Sequence, residues 1–264
     1  MHPKRPFALF WFIVGAGLLA LTGCATGAQE PARVNTAVVP ANRDGPKHRG
    51  FVALAKQGGI DVLFLGDSIT DFWRESNPAT NHNGKAVFDQ YFGGMRVANF
   101  GYSGDTTQQV LWRLQNGEGE GFQPKVVMLM IGTNNTGYVK GTTNLKNTSA
   151  EIAEGVTAVV HELRTRFPAA RILLLGIFPR GDPGDINRVQ IAAINATIAR
   201  LNDNRHIFYL DIGSKFLDAS GALPPDIMPD KLHPGPKGYV IWAEAVKQPL
   251  ADLLKLADAA PAGK

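Results

Sequence analysis

The chain has 264 residues, of which 44% are hydrophobic and 19% charged, a balance typical of a globular protein with one sizeable core. Its formal charge of +4 is not gathered into a basic stripe interleaved with aromatic residues, which argues against nucleic acid as a partner. Its single cysteine, Cys24, excludes an internal disulfide framework and a cysteine-rich zinc site.

The first 23 residues have the pattern of an export signal. Lys4 and Arg5 precede the uncharged run 7–22, FALFWFIVGAGLLALT, which is shorter than the roughly 20 residues that span a bilayer as a helix. The end of this run and the two residues after it, Leu21-Thr22-Gly23-Cys24, resemble the lipobox of bacterial lipoproteins, in which the signal is cut before an acylated cysteine. This resemblance implies a lipid anchor at Cys24 and a place in the bacterial cell envelope, at the periplasmic face or the outer membrane. A plain secretory signal and an uncleaved anchor are the alternatives.

Composition divides the rest of the chain into three parts. Residues 24–46 are rich in Ala, Gly, Pro, Asn and Thr without a clear period, which predicts a flexible tether. Residues 47–258 form the expected folded domain, and residues 259–264 read as a disordered tail. There is no internal repeat.

Strand and helix patterns alternate through the folded domain. Nearly continuous apolar runs, typical of strands buried on both faces, lie at 60–65, 95–100, 125–132, 171–178 and 206–213. Helical patterns lie at 48–57, 106–117, 147–167, 187–202 and 237–256, the last with an expected bend at Pro249. This alternation predicts an α/β fold with right-handed crossovers and a parallel sheet covered by helices on both faces.

Small and polar residues gather where the predicted strands end. Gly-Asp-Ser at 66–68 follows the first strand, NFGYSGDTT at 99–107 the second, and GTNN at 132–135 the third. DKLHPGPKGY, at 230–239, precedes the last helix. Ligands of open parallel sheets bind beyond the carboxyl ends of the strands, so these loops are the place to look for a site.

Four ordered blocks in these loops resemble the SGNH, or GDSL, hydrolases. The blocks are Gly66-Asp67-Ser68, the glycine of Ser103-Gly104-Asp105, Gly132-Thr133-Asn134, and Asp230-Lys231-Leu232-His233. The runs GDTTQQVLWRLQNGE and LGIFPRG bring the likeness closest to the catalytic subunits of platelet-activating factor acetylhydrolase and their bacterial relatives. The resemblance covers roughly residues 47–257. It implies a three-layer α/β/α, flavodoxin-like fold with a five-stranded parallel sheet.

The residue types of these blocks suit nucleophilic catalysis. A serine hydroxyl is a poor nucleophile at neutral pH and needs a base within hydrogen-bond reach, which itself must be oriented. His233 is the candidate base for Ser68, and Asp230, three residues earlier, can accept the other imidazole N–H across one turn. The resemblance supplies three oxyanion donors: the backbone N–H groups of Ser68 and Gly104 and the side-chain amide of Asn134. It implies neither a metal nor an organic cofactor.

Three of these residues also have a simpler, non-catalytic interpretation. Ser68 and Asn134 are also common helix caps, and His233 could be a surface turn residue. Asp67 and Asp105 read as caps or loop braces rather than as catalysts. Tyr102, beside the second block, is a candidate for lining the substrate pocket. No chemistry is assigned to four other histidines, His48, His82, His161 and His206.

The sequence therefore predicts an exported serine esterase that removes short acyl groups, acetyl first, from carbohydrate or small extracellular esters. A longer-chain lipase or thioesterase is one alternative. A carbohydrate- or lipid-binding lipoprotein that keeps the fold without turnover is the other. The related acetylhydrolase subunits dimerise, so the resemblance leaves a homodimer open.

Overall fold

Five parallel strands form one sheet in the computed structural model, which describes residue 1 and residues 33–259. Their order across the sheet is β2-β1-β3-β4-β5, the flavodoxin-like order, and the predicted fold class is confirmed. The strands are β1 Val62–Gly66, β2 Val97–Gly101, β3 Val126–Met130, β4 Arg171–Leu175 and β5 Ile207–Leu210. β4 ends at Leu175, before the end of the apolar run 171–178, because Ile177 and Phe178 belong to the loop that follows and are buried there.

Helices cover both faces of the sheet. They are α1 Pro46–Gln57, α2 Ser68–Asp71, α3 Lys85–Phe92, α4 Thr107–Arg113, α5 Ser149–Arg166, α6 Ile186–Ile198 and α7 Pro236–Ala259. The sequence patterns do not predict α2 and α3. α4 ends at Arg113, and a wide turn, Leu114–Glu118, follows it; within this turn the backbones of Asn116 and Gly117 leave the helical region. α7 continues through Pro249 and includes Ala259, which the sequence assigned to the disordered tail.

Alternate residues of each central strand face two separate apolar layers. In β1, Leu63 and Leu65 pack with α1, α4, α5 and α6, whereas Val62 and Phe64 pack with α3 and α7. All five residues of β1 and of β3 are buried, since both faces of these strands are covered. Because helices cover both faces of these strands, their sequences are continuous apolar runs rather than alternating ones.

The segment 35–45, here called the strap, corrects the predicted tether of residues 24–46. It packs on α4 and α5: the carbonyl of the fully buried Ala37 accepts a hydrogen bond of 2.7 Å from the Thr107 hydroxyl, and the Ala41 N–H donates to the Gln108 carbonyl. A Cβ on Gly155 of α5 would lie 2.8 Å from the Ala37 oxygen, so this glycine permits the close approach. Residues 2–23 of the predicted signal, the tether residues 24–32 and the tail residues 260–264 lie outside the described residues.

Gly101, at the end of β2, lets the backbone of α2 approach the sheet. An added Cβ would lie 2.3 Å from the Asp71 nitrogen and 2.6 Å from the Thr70 carbonyl carbon. We expect Gly101→Ala to lower the free energy of unfolding by about 1–3 kcal/mol or more, because rigid backbone must move. Urea unfolding followed by circular dichroism measures this. Gly50→Ala, on the exposed face of α1 with no neighbour within 4 Å, is the control and should be neutral or stabilising. Equal losses in both variants would contradict the prediction.

Candidate active site

Ser68 is held at the carboxyl end of β1 by the start of α2. The Asp67 carboxylate accepts a hydrogen bond of 3.0 Å from the Ile69 N–H and so caps the helix. The cap is therefore Asp67, and Ser68 is the first residue of α2, with its hydroxyl available for another partner. That partner is His233: the distance from Ser68 Oγ to His233 Nε2 is 2.8 Å.

Asp230 fixes the His233 ring from the other side. Its Oδ2 lies 2.6 Å from His233 Nδ1, and its Oδ1 accepts the backbone N–H groups of Leu232 and His233 at 3.0 and 2.7 Å. This turn requires a left-handed backbone at Lys231, with φ 57°. Because the carboxylate accepts the Nδ1 proton, Nε2 is the nitrogen that accepts from the serine hydroxyl.

Two rings pack against the His233 imidazole. Phe72 lies with its ring centroid 5.0 Å from that of His233 and stacks on His82 at 5.6 Å. The His82 ring is also 5.0 Å from His233, and its Nε2 is 3.6 Å from Asp230 Oδ2. His82, which the sequence left without a role, is therefore a neighbour of the candidate site.

These groups also have the composition of a metal site. His82, Asp230 and His233 offer ligand atoms that all lie within 4.8 Å of one another. Two ligands of one zinc ion, each about 2.1 Å from the metal, lie about 3.4 Å apart. The 2.6 Å between His233 Nδ1 and Asp230 Oδ2 is instead the length of a charge-assisted hydrogen bond.

Burial and hydrogen bonding shift three pKa values at the site. Burial lowers the pKa of His233 below 6.5, although the hydrogen bond to Asp230 opposes it. The pKa of Asp230 lies below its ordinary value: burial acts against the charge, but the N–H groups of His233 and Leu232 and the imidazole outweigh it. Burial raises the pKa of Asp67 to about 7, although the Ile69 N–H favours its charged form. Because the pKa of His233 is lowered, its imidazole is uncharged at neutral pH and able to accept a proton.

The loops after β2 and β3 meet beside Ser68. Gly104 is exposed and has φ 86°, a backbone conformation that a side chain would strain. The Asn134 side-chain amide donates a hydrogen bond of 2.8 Å to the Asp105 carbonyl, which leaves its second N–H for another acceptor. This bond joins the two loops from which the sequence predicts oxyanion donors.

Buried carboxylates brace the Gly104 loop from below. Asp71 Oδ2 accepts both the N–H and the hydroxyl of Ser103, at 3.0 and 2.6 Å, and is paired with Lys47 and Arg74. The carboxylate of Asp105, which is fully buried, pairs through Oδ2 with Arg113 at 2.7 Å.

The Arg113–Asp105 pair belongs to a longer network. The guanidinium of Arg113 also binds Glu118, which is 2.7 Å from the Nδ1 atom of His48. His48 is thus a structural histidine, and Asp105 is a loop brace.

Tyr102 and Arg180 lie at the edges of the site. The Arg43 guanidinium lies 3.9 Å above the Tyr102 ring, and Phe51 meets that ring edge-on, so packing accounts for it without a ligand. The part of Tyr102 in lining a pocket stays a prediction. Arg180 donates a hydrogen bond of 3.1 Å to the Thr133 carbonyl, and the neighbouring Gly181 N–H donates to the Lys231 carbonyl. The segment after β4 therefore connects the Asn134 and His233 loops.

A hydroxyl, an imidazole and a carboxylate in one line at the carboxyl edge of a parallel sheet define a serine hydrolase. Residues 64–241 match the model of the GDSL-like Lipase/Acylhydrolase family. The chain is 33% identical over 210 residues to platelet-activating factor acetylhydrolase IB subunit alpha2 of Rattus norvegicus, an alignment that covers 79% of this chain and 84% of that one. The protein therefore belongs to the GDSL-like lipase/acylhydrolase family and is an enzyme that acts on esters.

Two solved structures share the fold. One is an acetylxylan esterase from Geobacillus stearothermophilus, with a TM-score of 0.56 and 22% identity, covering 75% of this chain and 94% of that one. The other is a GDSL-like lipase from Bacteroides thetaiotaomicron, with a TM-score of 0.57 and 19% identity, covering 78% and 97%.

We expect the His233 imidazole to titrate below pH 6.5, because burial disfavours its charged form. Asp230→Asn should lower this pKa further, since the carboxylate is the main group that favours the charged ring. Histidine ring resonances followed by NMR against pH measure both values, with His233→Gln used for assignment. A midpoint at or above 6.5 would show that burial does not dominate, and an upward shift in Asp230→Asn would show that the carboxylate does not favour the charged ring.

Proposed function

We propose that this protein is a serine esterase that removes short acyl groups, acetyl first, through an acyl-serine intermediate. The observation that carries the proposal is the line from Ser68 Oγ to His233 Nε2, 2.8 Å, and from His233 Nδ1 to Asp230 Oδ2, 2.6 Å. Both distances are already those of working hydrogen bonds, so proton transfer needs no large movement.

In the proposed reaction, His233 Nε2 takes the hydroxyl proton as Ser68 Oγ attacks the ester carbonyl carbon. The carbonyl π electrons move to the oxygen, and the oxyanion accepts hydrogen bonds from the N–H groups of Ser68 and Gly104 and the Asn134 amide. Collapse breaks the bond to the alcohol, which leaves with the proton from the imidazolium. Water then repeats the sequence on the acyl-serine and releases the acid. Asp230 holds the ring and stabilises its transient charge without itself taking a proton.

Two observations support an acetyl group and a carbohydrate alcohol. One relative is an acetylhydrolase by name, and one solved structure with the same fold is an acetylxylan esterase by name. A groove of about 620 Å³ lies beside the loop that carries Asp230 and is next to His82 in the chain. It offers prolines and polar side chains, among them Thr80, Asn81, Asn83 and Asp226, which suit a sugar ring.

A longer acyl chain is the second candidate. Tyr138 and Val139 are each 45% exposed in the loop that follows Asn134, where apolar side chains could seat such a chain. A series of p-nitrophenyl esters from acetate through butyrate and octanoate to palmitate separates the two candidates.

We expect the full chain to hydrolyse the acetate fastest, with a steep fall beyond butyrate, because an acetyl-sized pocket excludes longer chains. Ser68→Ala should lose about 10³-fold or more of kcat/KM, since it removes the nucleophile. Hydrolysis at each chain length is measured by nitrophenolate release, and exposed His161→Gln serves as the matched control with unchanged rates. Equal rates for wild type and Ser68→Ala would reject the mechanism. A maximum at octanoate would replace the acetyl group with a longer acyl chain.

We also propose that the enzyme is anchored in the bacterial cell envelope through a lipid on Cys24. The support is the run Leu21-Thr22-Gly23-Cys24 after a basic and then apolar start. Within the part of the chain that the structure describes, no helix has the length and apolar character needed to cross a membrane. A homodimer stays a prediction from the resemblance.

The anchor is tested by expressing the full chain in a bacterial host with an alkyne-labelled fatty acid. We expect the wild type to carry the label and to sediment with membranes, because acyl chains on Cys24 partition into the bilayer. Cys24→Ser should lose both properties, whereas Ser68→Ala should keep them. An unlabelled wild-type protein would reject the anchor.

A further inference from the structure

The strap reaches the candidate oxyanion loop through one side chain. The guanidinium of Arg43 donates from Nη2 to the Ser103 carbonyl and from Nε to Asp105 Oδ1, both at 2.7 Å. It also lies 3.9 Å above the Tyr102 ring, which limits its movement on a third side. These contacts straddle Gly104, which carries one of the proposed oxyanion donors.

The carbonyl that Arg43 binds belongs to the same peptide unit as the Gly104 N–H. A trans peptide is planar, and its C=O and N–H point in opposite directions. Fixing the Ser103 oxygen therefore fixes the direction of the Gly104 N–H, which points away from Arg43. A cationic donor on the oxygen also polarises the amide and makes its N–H a stronger donor.

The peptide on the other side of Ser103 is held as well. Its N–H donates to Asp71 Oδ2 at 3.0 Å, and the Ser103 hydroxyl donates to the same oxygen. Gly104 itself has no side chain to hold it, and the nearest atom to a Cβ built there would be Arg43 Nη2, at 3.8 Å. Among the contacts that the described residues make with this loop, the bond from Arg43 is the one that acts on the donor peptide directly.

We propose that Arg43 is a positioning residue that orients and polarises the Gly104 N–H for the oxyanion, and that the strap is thereby part of the active site. This inference rests on the proposed esterase function. It predicts that loss of the guanidinium slows turnover, because the donor is then misaligned in the transition state, while substrate binding changes little.

The experiment compares kcat and KM for p-nitrophenyl acetate in the full chain. Arg43→Gln is expected to lower kcat about 10- to 100-fold with KM within about threefold, below the full loss of a donor. Arg43→Lys should be intermediate, since it keeps a charge but not the two-pronged contact. Arg96→Gln is the matched control, because Arg96 makes an exposed ion pair with Asp61 at the amino-terminal end of the sheet, away from the strap, and should leave both constants unchanged.

Chemical rescue separates positioning from a general loss of structure. In Arg43→Gly, added methylguanidinium should occupy the vacated position and restore part of kcat, with no such gain in wild type or Arg96→Gln. An unchanged kcat in Arg43→Gln would overturn the inference, as would a loss that methylguanidinium does not restore in Arg43→Gly. A wild type no faster than Ser68→Ala would overturn the esterase proposal, and this inference with it.

Discussion

The site depends on one constraint: three neighbouring strands end at the same level of the sheet. Gly66 of β1 is in register with Gly101 of β2 and with Met130 of β3, so the loops that follow begin side by side. A Cβ on Gly66 would lie 2.4 Å from the Met130 oxygen, so the closeness itself requires glycine there. A slip of one strand by one residue, about 3.3 Å, would exceed the tolerance of every hydrogen bond described at the site.

Charge buried beneath the loops keeps them in place at a cost in desolvation. Asp105, Arg113 and Glu118 are fully shielded from solvent, and apolar residues of similar size would stabilise a core at least as well. Their value is directional: the Arg113 guanidinium donates to the carboxylates of Asp105 and Glu118 and to the Phe100 carbonyl at the end of β2, and so holds Asp105, which belongs to the Gly104 loop. Asp71 acts in the same way from the side of α2.

The sequence predicts the fold because strands buried on both faces are continuous apolar runs. It predicts the line from Ser68 to Asp230 because four ordered blocks resemble a known family, although Ser68 and His233 lie 165 residues apart; only Asp230 and His233 meet within a single turn. Arg43, Asp71 and His82 lie outside these blocks, and their contacts with the Gly104 and His233 loops join segments distant in the chain, 62 residues in the case of Arg43 and Asp105. The strap packs mainly through backbone groups and one small residue, Ala37. Its sequence therefore shows no periodic pattern of apolar residues, and its composition is that of a tether.

The nucleophile and its base lie 165 residues apart in the chain. The base stands just before α7, whose side chains Tyr239 and Trp242 complete the core around Trp73. A ribosome makes Ser68 before it makes His233 and α7. The nascent chain consequently cannot complete the line from Ser68 to Asp230 until these later segments have been made, and trimming that reaches the body of α7 would silence the enzyme while leaving the five strands of its sheet intact.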